Sequence, residues 1–181
     1  MQKNIYIIRH CQAEGQHPEA PLTNKGFKQA DELSHFLSEF ELDHVISSPF
    51  LRAVQTIRPY IIKEKMSLEI DERLSERVLS NEHFSDWLEK LRTTFNQMDL
   101  KYEGGESSNE AQGRIINVIN EILDSEHQNV AIVTHGGIMS LLLKYYEDAF
   151  GFNEWQGLTR PDVYQLTISN EGHDLNRLWE N

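Results

Sequence analysis

The sequence is short of cysteine, of basic charge and of long apolar runs, and each shortage excludes something. One cysteine, Cys11, in 181 residues rules out an intramolecular disulfide and suits a reducing compartment. Lys and Arg total 17 against 29 Asp and Glu, a net charge of −12. Such a chain lacks the basic face that nucleic acid or an anionic membrane surface requires. Its longest apolar stretch, Val130 to Leu143, is broken by Thr134, His135, Gly136 and Gly137, and falls short of the roughly 18 residues of a membrane span. The apolar stretch Ile5 to Ile8, cut off by Arg9, is too short for a signal peptide. A cytoplasmic protein is expected. Five prolines and ten glycines form no linker, and no repeat occurs, so residues 1–181 are expected to be one domain. A domain of this size buries about 70% of its unfolded surface and needs no metal or disulfide to hold a core. The composition calls for no cofactor. Nothing in it sets an oligomeric state.

What is present alternates. The β-branched run Asn4 to Ile8 predicts a buried strand. Cys11 to Leu22, with Gly15, Pro18 and Pro21, predicts a loop. Thr23 is placed to cap a helix whose Ala30, Leu33, Leu37 and Phe40 form one apolar stripe. His44 to Ser48 reads as a strand and Phe50 to Lys65 as a helix bent or interrupted at Pro59. Ser67 to Leu79 is ambiguous, a strand and then a loop. Helices are expected over Phe84–Met98, Glu110–Ser125 and Gly137–Tyr146, and strands over Asn129–Thr134, Val163–Ile168 and Leu175–Trp179. This alternation predicts an α/β fold: a three-layer α/β/α sandwich with a mostly parallel central sheet. Ligands bind such sheets beyond the carboxyl ends of the strands.

Three predicted strands end in polar chemistry: Arg9-His10, Ser47-Ser48 and Thr134-His135. The other six histidines lie in polar or loop contexts and read as surface residues. His10 and His135 each follow a buried strand directly, so each must find a partner or a task. Arginine offers a planar fork suited to phosphate or carboxylate. Arg9 adjoins His10, and Arg52 opens a helix whose N-terminal N–H groups also favour an anion. Gly136 and Gly137 permit close backbone approach after His135. His10, Cys11 and His135 give poor metal-ligand spacing, and neither HExxH nor CxxC is present, so no metal site is expected.

These residues carry a resemblance. Arg9-His10-Cys11 resembles the Arg-His-Gly signature of the histidine phosphatase superfamily, the phosphoglycerate mutase-like fold, and Pro21 to Gly26 resembles its next block. Ser47-Ser48-Pro49-Phe50-Leu51-Arg52-Ala53-Val54-Gln55-Thr56 is similar to its Ser-Ser-Pro block; Gly105-Glu106-Ser107 and Val133 to Gly137 complete the series. The resemblance implies His10 as a nucleophile forming a phosphohistidine, with His135 catalytic beside it. It implies Arg9, Arg52, Gln16, Thr23 and Gly136 as phosphate-binding. It also implies Glu76 as the acid that protonates the leaving oxygen, because Leu74-Ser75-Glu76 is similar to the family's Leu-x-Glu element; Glu72 is the alternative. Four features depart from the pattern: Cys11 replaces glycine, Ala13 lacks a hydroxyl, Gln16 stands where asparagine is usual, and no glycine follows Glu76 at the family's common spacing, where Val78-Leu79-Ser80 intervenes.

The expected activity is metal-independent hydrolysis of a small-molecule phosphomonoester. The competing readings are phosphoryl transfer of the phosphoglycerate mutase type and a non-catalytic phospho-ligand module on the same fold. The shortness of the chain favours hydrolysis, since a mutase must shield its phosphoenzyme from water. Between the motif blocks lie Phe84, Trp87, Leu88 and Tyr102. The resemblance implies that such a segment often forms the specificity cap. The other reading is ordinary helix core, which is favoured for Trp87 and Leu88, and Trp155 is left between core and pocket rim.

Overall fold

The computed structural model describes residues 2–179. Strands β1 (Lys3–Arg9), β2 (His44–Ser47), β3 (Glu69–Ile70), β4 (Asn129–Thr134), β5 (Asp162–Ser169) and β6 (Gly172–Arg177) form one sheet in the order β3-β2-β4-β1-β5-β6. The four strands from β3 to β1 run parallel, and β5 and β6 add an antiparallel edge. Helices α1 (Asn24–Leu37), α2 (Leu51–Glu64), α3 (Trp87–Asn96), α4 (Ser108–Asp124), α5 (Gly136–Tyr146) and α6 (Phe152–Gln156) supply the outer layers.

The strand sequences explain the layering. Side chains alternate across a sheet, and here both faces are covered, so the inner strands read as unbroken apolar runs. Tyr6, Ile8, Ala131 and Val133 pack with Leu33, Leu37, Ala53 and Ile57 of α1 and α2. Ile5, Ile7, Val130 and Ile132 pack on the opposite face with Ile115, Ile119, Ile138 and Leu142 of α4 and α5. Leu91, Phe95, Ala111, Leu141 and Phe152 make a third, smaller cluster that carries α3 and α6. The expected α/β/α sandwich with a mostly parallel sheet is therefore what forms.

Several local expectations are corrected. α2 runs without interruption through Pro59: a proline removes one hydrogen bond, and burial of Ala53, Ile57 and Tyr60 on the flanking turns holds the helix. α1 ends at Leu37, short of Phe40. The expected helix Phe84–Met98 contracts to α3, with Phe84 left in the loop. The last strand begins at Gly172 rather than Leu175, because β6 is an edge strand of exposed polar residues with no apolar pattern to mark it. α4 begins at a capping box: the Ser107 hydroxyl accepts from the Glu110 N–H, and the Glu110 carboxylate accepts from the Ser107 N–H. No helix among the described residues is long and apolar enough to cross a membrane.

Candidate active site

Parallel pairing brings the two histidines together. β1 and β4 are neighbours, with Arg9 opposite Thr134, so the next residue of each strand emerges at the same carboxyl edge. The rings of His10 and His135 lie 5.1 Å apart, centroid to centroid. β2, on the other side of β4, brings Ser48 to the same edge, and its Oγ lies 2.7 Å from His135 Nε2.

Hydrogen bonds fix the tautomer of His10. Its Nδ1 lies 2.7 Å from the Cys11 carbonyl, an acceptor only, so Nδ1 carries the proton and donates. Nε2 is left with its lone pair, which accepts from Arg52 Nε at 3.2 Å. Arg52 is 1% exposed; its Nη1 also donates to the carbonyls of Gln16 (3.1 Å) and His17 (2.9 Å). Arg9 donates to the carbonyls of Leu158 (3.0 Å) and Thr159 (3.4 Å). Neither arginine forms an ion pair among the described residues. Arg9 Nε and His135 Nδ1 are buried and without a partner among the described residues. Buried guanidinium groups held by carbonyls and a neutral imidazole, with no carboxylate partner, keep their full charge for an anion.

This concentration of charge sets the protonation states. Burial, then the neighbouring His135, pushes the His10 imidazole well below its ordinary value; the bond to the Cys11 carbonyl opposes them, and Arg52 and Arg9 add smaller downward effects. Burial, then Arg52 and Arg9, does the same to His135. Burial, then Arg160, brings Arg9 down to about 10. Both histidines are therefore neutral near pH 7. An unfolded histidine takes up a proton below about pH 6.5, whereas these two do so only well below it. The unfolded state then binds more protons as pH falls. Stability from burying them neutral is complete above pH 6.5 and drains away below it, toward their folded values. Urea midpoints are expected to drop between about pH 7.5 and 5, and to drop less steeply in His135→Asn. Equal slopes in the two proteins would show that His135 does not titrate as described.

Glu76 stands across from this cluster. Its Oε1 accepts from the N–H groups of Arg77 (2.7 Å) and Ile138 (2.9 Å), and Oε2 from Gly137 (3.0 Å). It thereby caps α5, whose own N-cap residue, His135, makes no side-chain cap bond. A Cβ on Gly137 would fall 2.6 Å from Glu76 Oε1, and one on Gly136 would fall 2.7 Å from the Arg9 guanidinium, so both glycines make room for charged groups. Arg114 holds the strap that carries Glu76: Nη1 donates to the carbonyls of Arg73 (2.6 Å) and Ser75 (2.8 Å), and Nη2 to that of Glu76 (3.3 Å). Arg114 is itself anchored to Glu106 at 2.7 Å, and Thr134 Oγ1 donates to the Leu74 carbonyl at 2.6 Å. Glu72, the other candidate acid, is exposed in a 3₁₀ turn over Glu72–Leu74.

A cavity of about 490 Å³ opens beside these groups, lined among others by Arg9, Gln16, Glu76, Arg77, Gly137 and Arg160. His10 is 5% exposed and lies outside that lining, joined to it through Arg52 and the Gln16 carbonyl. Thr23 is not in the lining either: its hydroxyl accepts from the Gly26 N–H and donates to the Gln12 carbonyl, as the cap of α1. Trp87, expected in a helix core, is the first residue of α3, 48% exposed, and lines the cavity with Trp155. Arg77 and Arg160 carry no sequence signal, because each reaches the cavity from a loop. Cys11 is fully buried, and burial pushes its thiol up to about 12, so it packs as a small apolar group. Among the described residues no three acidic, histidine or cysteine side chains are grouped to hold a metal ion.

Comparison with known proteins matches this arrangement to one family. A putative phosphoserine phosphatase 2 from Hydrogenobacter thermophilus is 28% identical over 156 residues, covering 78% of this chain and 77% of the relative. The solved mycobacterial glucosyl-3-phosphoglycerate phosphatase superposes with a TM-score of 0.77 at 19% identity, over 98% of this chain and 97% of the other. Phosphoglycerate mutase from Bacillus anthracis superposes with a TM-score of 0.78 at 16% identity, over 98% and 92%, so the fold is shared by a hydrolase and a mutase. The model of the histidine phosphatase superfamily (branch 1) matches residues 5–180, and with paired strand-end histidines, flanking arginines and a facing carboxyl group all inside that span, the chain belongs to this superfamily.

Proposed function

We propose that the protein hydrolyses a small phosphomonoester, without a metal ion, through a phosphohistidine on His10. The observation that carries this reading is the state of His10: neutral, with Nδ1–H committed to the Cys11 carbonyl and the Nε2 lone pair directed at the Arg52 guanidinium. A nucleophile of this kind needs a lone pair at neutral pH beside cations that attract the phosphoryl group.

In the first step Nε2 attacks phosphorus, and the bond from phosphorus to the ester oxygen breaks. Arg9, Arg52 and His135 meet the three equatorial oxygens, where charge is spread in the transition state. The departing oxygen takes a proton from the Glu76 carboxyl. Oε2 accepts one hydrogen bond against two at Oε1, and is the less engaged of the two oxygens. In the second step water attacks the phosphohistidine, gives its proton to Glu76, and the N–P bond breaks. Enzyme, proton count and His10 tautomer are restored, with inorganic phosphate and the alcohol released. The Gln16 side chain, which makes no hydrogen bond among the described residues, supplies a further donor at the cavity wall. Gly136 admits Arg9 to the N-terminus of α5. A single inert cysteine suits a cytoplasmic setting.

The test is phosphate release from an aryl phosphate and a panel of sugar and glycerate phosphates, in the presence of chelator. Turnover that persists in chelator supports the reading. Turnover restored only by added metal would overturn metal independence, and return of the phosphoryl group to substrate in place of release would make the protein a mutase.

A further inference from the structure

A second cavity, of about 500 Å³, adjoins the first and shares Arg9, Trp155 and Arg160 with it. Its ionisable lining is entirely cationic: Arg9, Lys25 and Arg160, with the amides of Gln12 and Gln29 and no carboxylate. In a protein with 29 acidic residues against 17 basic ones, a cavity wall with three cations and no acid is a local inversion of the protein's charge. Lys25 and Arg160 form no ion pair and no hydrogen bond among the described residues.

Lys25 is also badly placed for the helix that carries it. It lies in the first turn of α1, which contains no acidic residue, and a cation there opposes the helix dipole. Helix stability therefore gives no reason for it. Arg160 stands in the segment whose preceding carbonyls, those of Leu158 and Thr159, hold Arg9. Asp162 anchors that segment, accepting from the Thr159 N–H (2.7 Å) and from Arg177 (2.5 Å). The same strap thus fixes one arginine toward His10 and presents another to the second cavity.

We infer that this cavity is a subsite for a second anionic group on the substrate, a carboxylate or a second phosphate, bound by Lys25 and Arg160 while the scissile phosphate sits with Arg9 and Arg52. The inference rests on the hydrolase reading and narrows it to phosphomonoesters with two separated anionic groups. Trp155, common to both cavities, then borders the body of the molecule between its charged ends.

Matched substrate pairs test it: 3-phosphoglycerate against glycerol 3-phosphate for a carboxylate, and fructose 1,6-bisphosphate against fructose 6-phosphate for a phosphate. The wild-type protein is expected to favour the doubly anionic member of one pair, and the pair it favours identifies the group. Lys25→Gln is expected to reduce that preference roughly tenfold, through KM rather than kcat, as loss of a charge-assisted contact predicts, and Lys25→Arg to restore it. Arg160→Gln is expected to act in the same direction. Absence of preference in both pairs, or loss of equal size on both members, overturns the subsite while leaving the hydrolase reading intact. Calorimetric Kd values for the same four compounds on the His10→Ala protein provide the same comparison without turnover. A preference in binding with no turnover in wild type would uphold the subsite and overturn the hydrolase reading.

Discussion

Phosphate release is expected to fall roughly 10⁴-fold or more when His10 is replaced by alanine, as for loss of a covalent nucleophile elsewhere. Neither His135 nor Cys11, the neighbouring candidates, is free to substitute. His135 Nε2 is engaged with Ser48, and the Cys11 thiol is buried and held protonated up to about 12. The cations that bind the anion survive in the variant. Arg9 keeps its carbonyl partners on the 158–159 segment, and Arg52 keeps those of Gln16 and His17. The affinity for inorganic phosphate should therefore change far less than kcat. A second readout is chemical: rapid quenching of the wild-type reaction in base should trap a phosphoenzyme that is stable in base and lost in acid, as a phosphoramidate is. The same quench of His10→Ala should trap nothing. Activity within tenfold of wild type would remove His10 from the nucleophile role.

The legible parts of this protein are those where burial leaves a periodic trace. β4 spans Asn129–Thr134, the bounds its apolar run predicts, because both of its faces are covered and no polar residue is tolerated inside. The strand-end histidines were legible for the same reason: a polar residue directly after such a run must emerge at the sheet edge. Their convergence was not. It depends on β1 and β4 being neighbours in register, Arg9 against Thr134, a pairing that no local pattern encodes. Arg77 and Arg160 escaped because loops position them, and loop geometry follows from long-range anchors such as Asp162 with Arg177. Trp155, left open between core and rim, stands in the short helix α6 and borders the cavity. Trp87 misled for the opposite reason. Its place in an amphipathic segment matched core spacing, yet it opens α3 on the side facing the cavity. Thr23 carries two expectations, cap and phosphate ligand; its hydroxyl serves as the cap of α1, and the residue lies outside the cavity lining.

Glu76→Gln separates proton donation from every other contribution, and its effect is expected to depend on the leaving group. An alkoxide leaves poorly without a proton, so alkyl phosphates should lose on the order of 10²–10⁴ in kcat/KM, the range for removing a general acid. An aryl phosphate with a good leaving group needs little protonation and should lose much less in the first step; its breakdown of the phosphoenzyme, which uses the same group as a base, should slow instead, so that phosphohistidine accumulates. The substitution is structurally mild. The amide oxygen can still accept from the Gly137 or Ile138 N–H, so the cap on α5 is retained in part, while the strap stays tied through Arg114 to the carbonyls of Arg73 and Ser75. Arg114→Gln makes the contrast. It leaves the carboxyl group in place and loosens what holds it, so it should lower the rate for alkyl and aryl esters together through misplacement of the whole strap. A Glu76→Gln protein that loses the same factor on both esters would assign Glu76 to holding α5 in position and would leave the leaving oxygen to be protonated by another group.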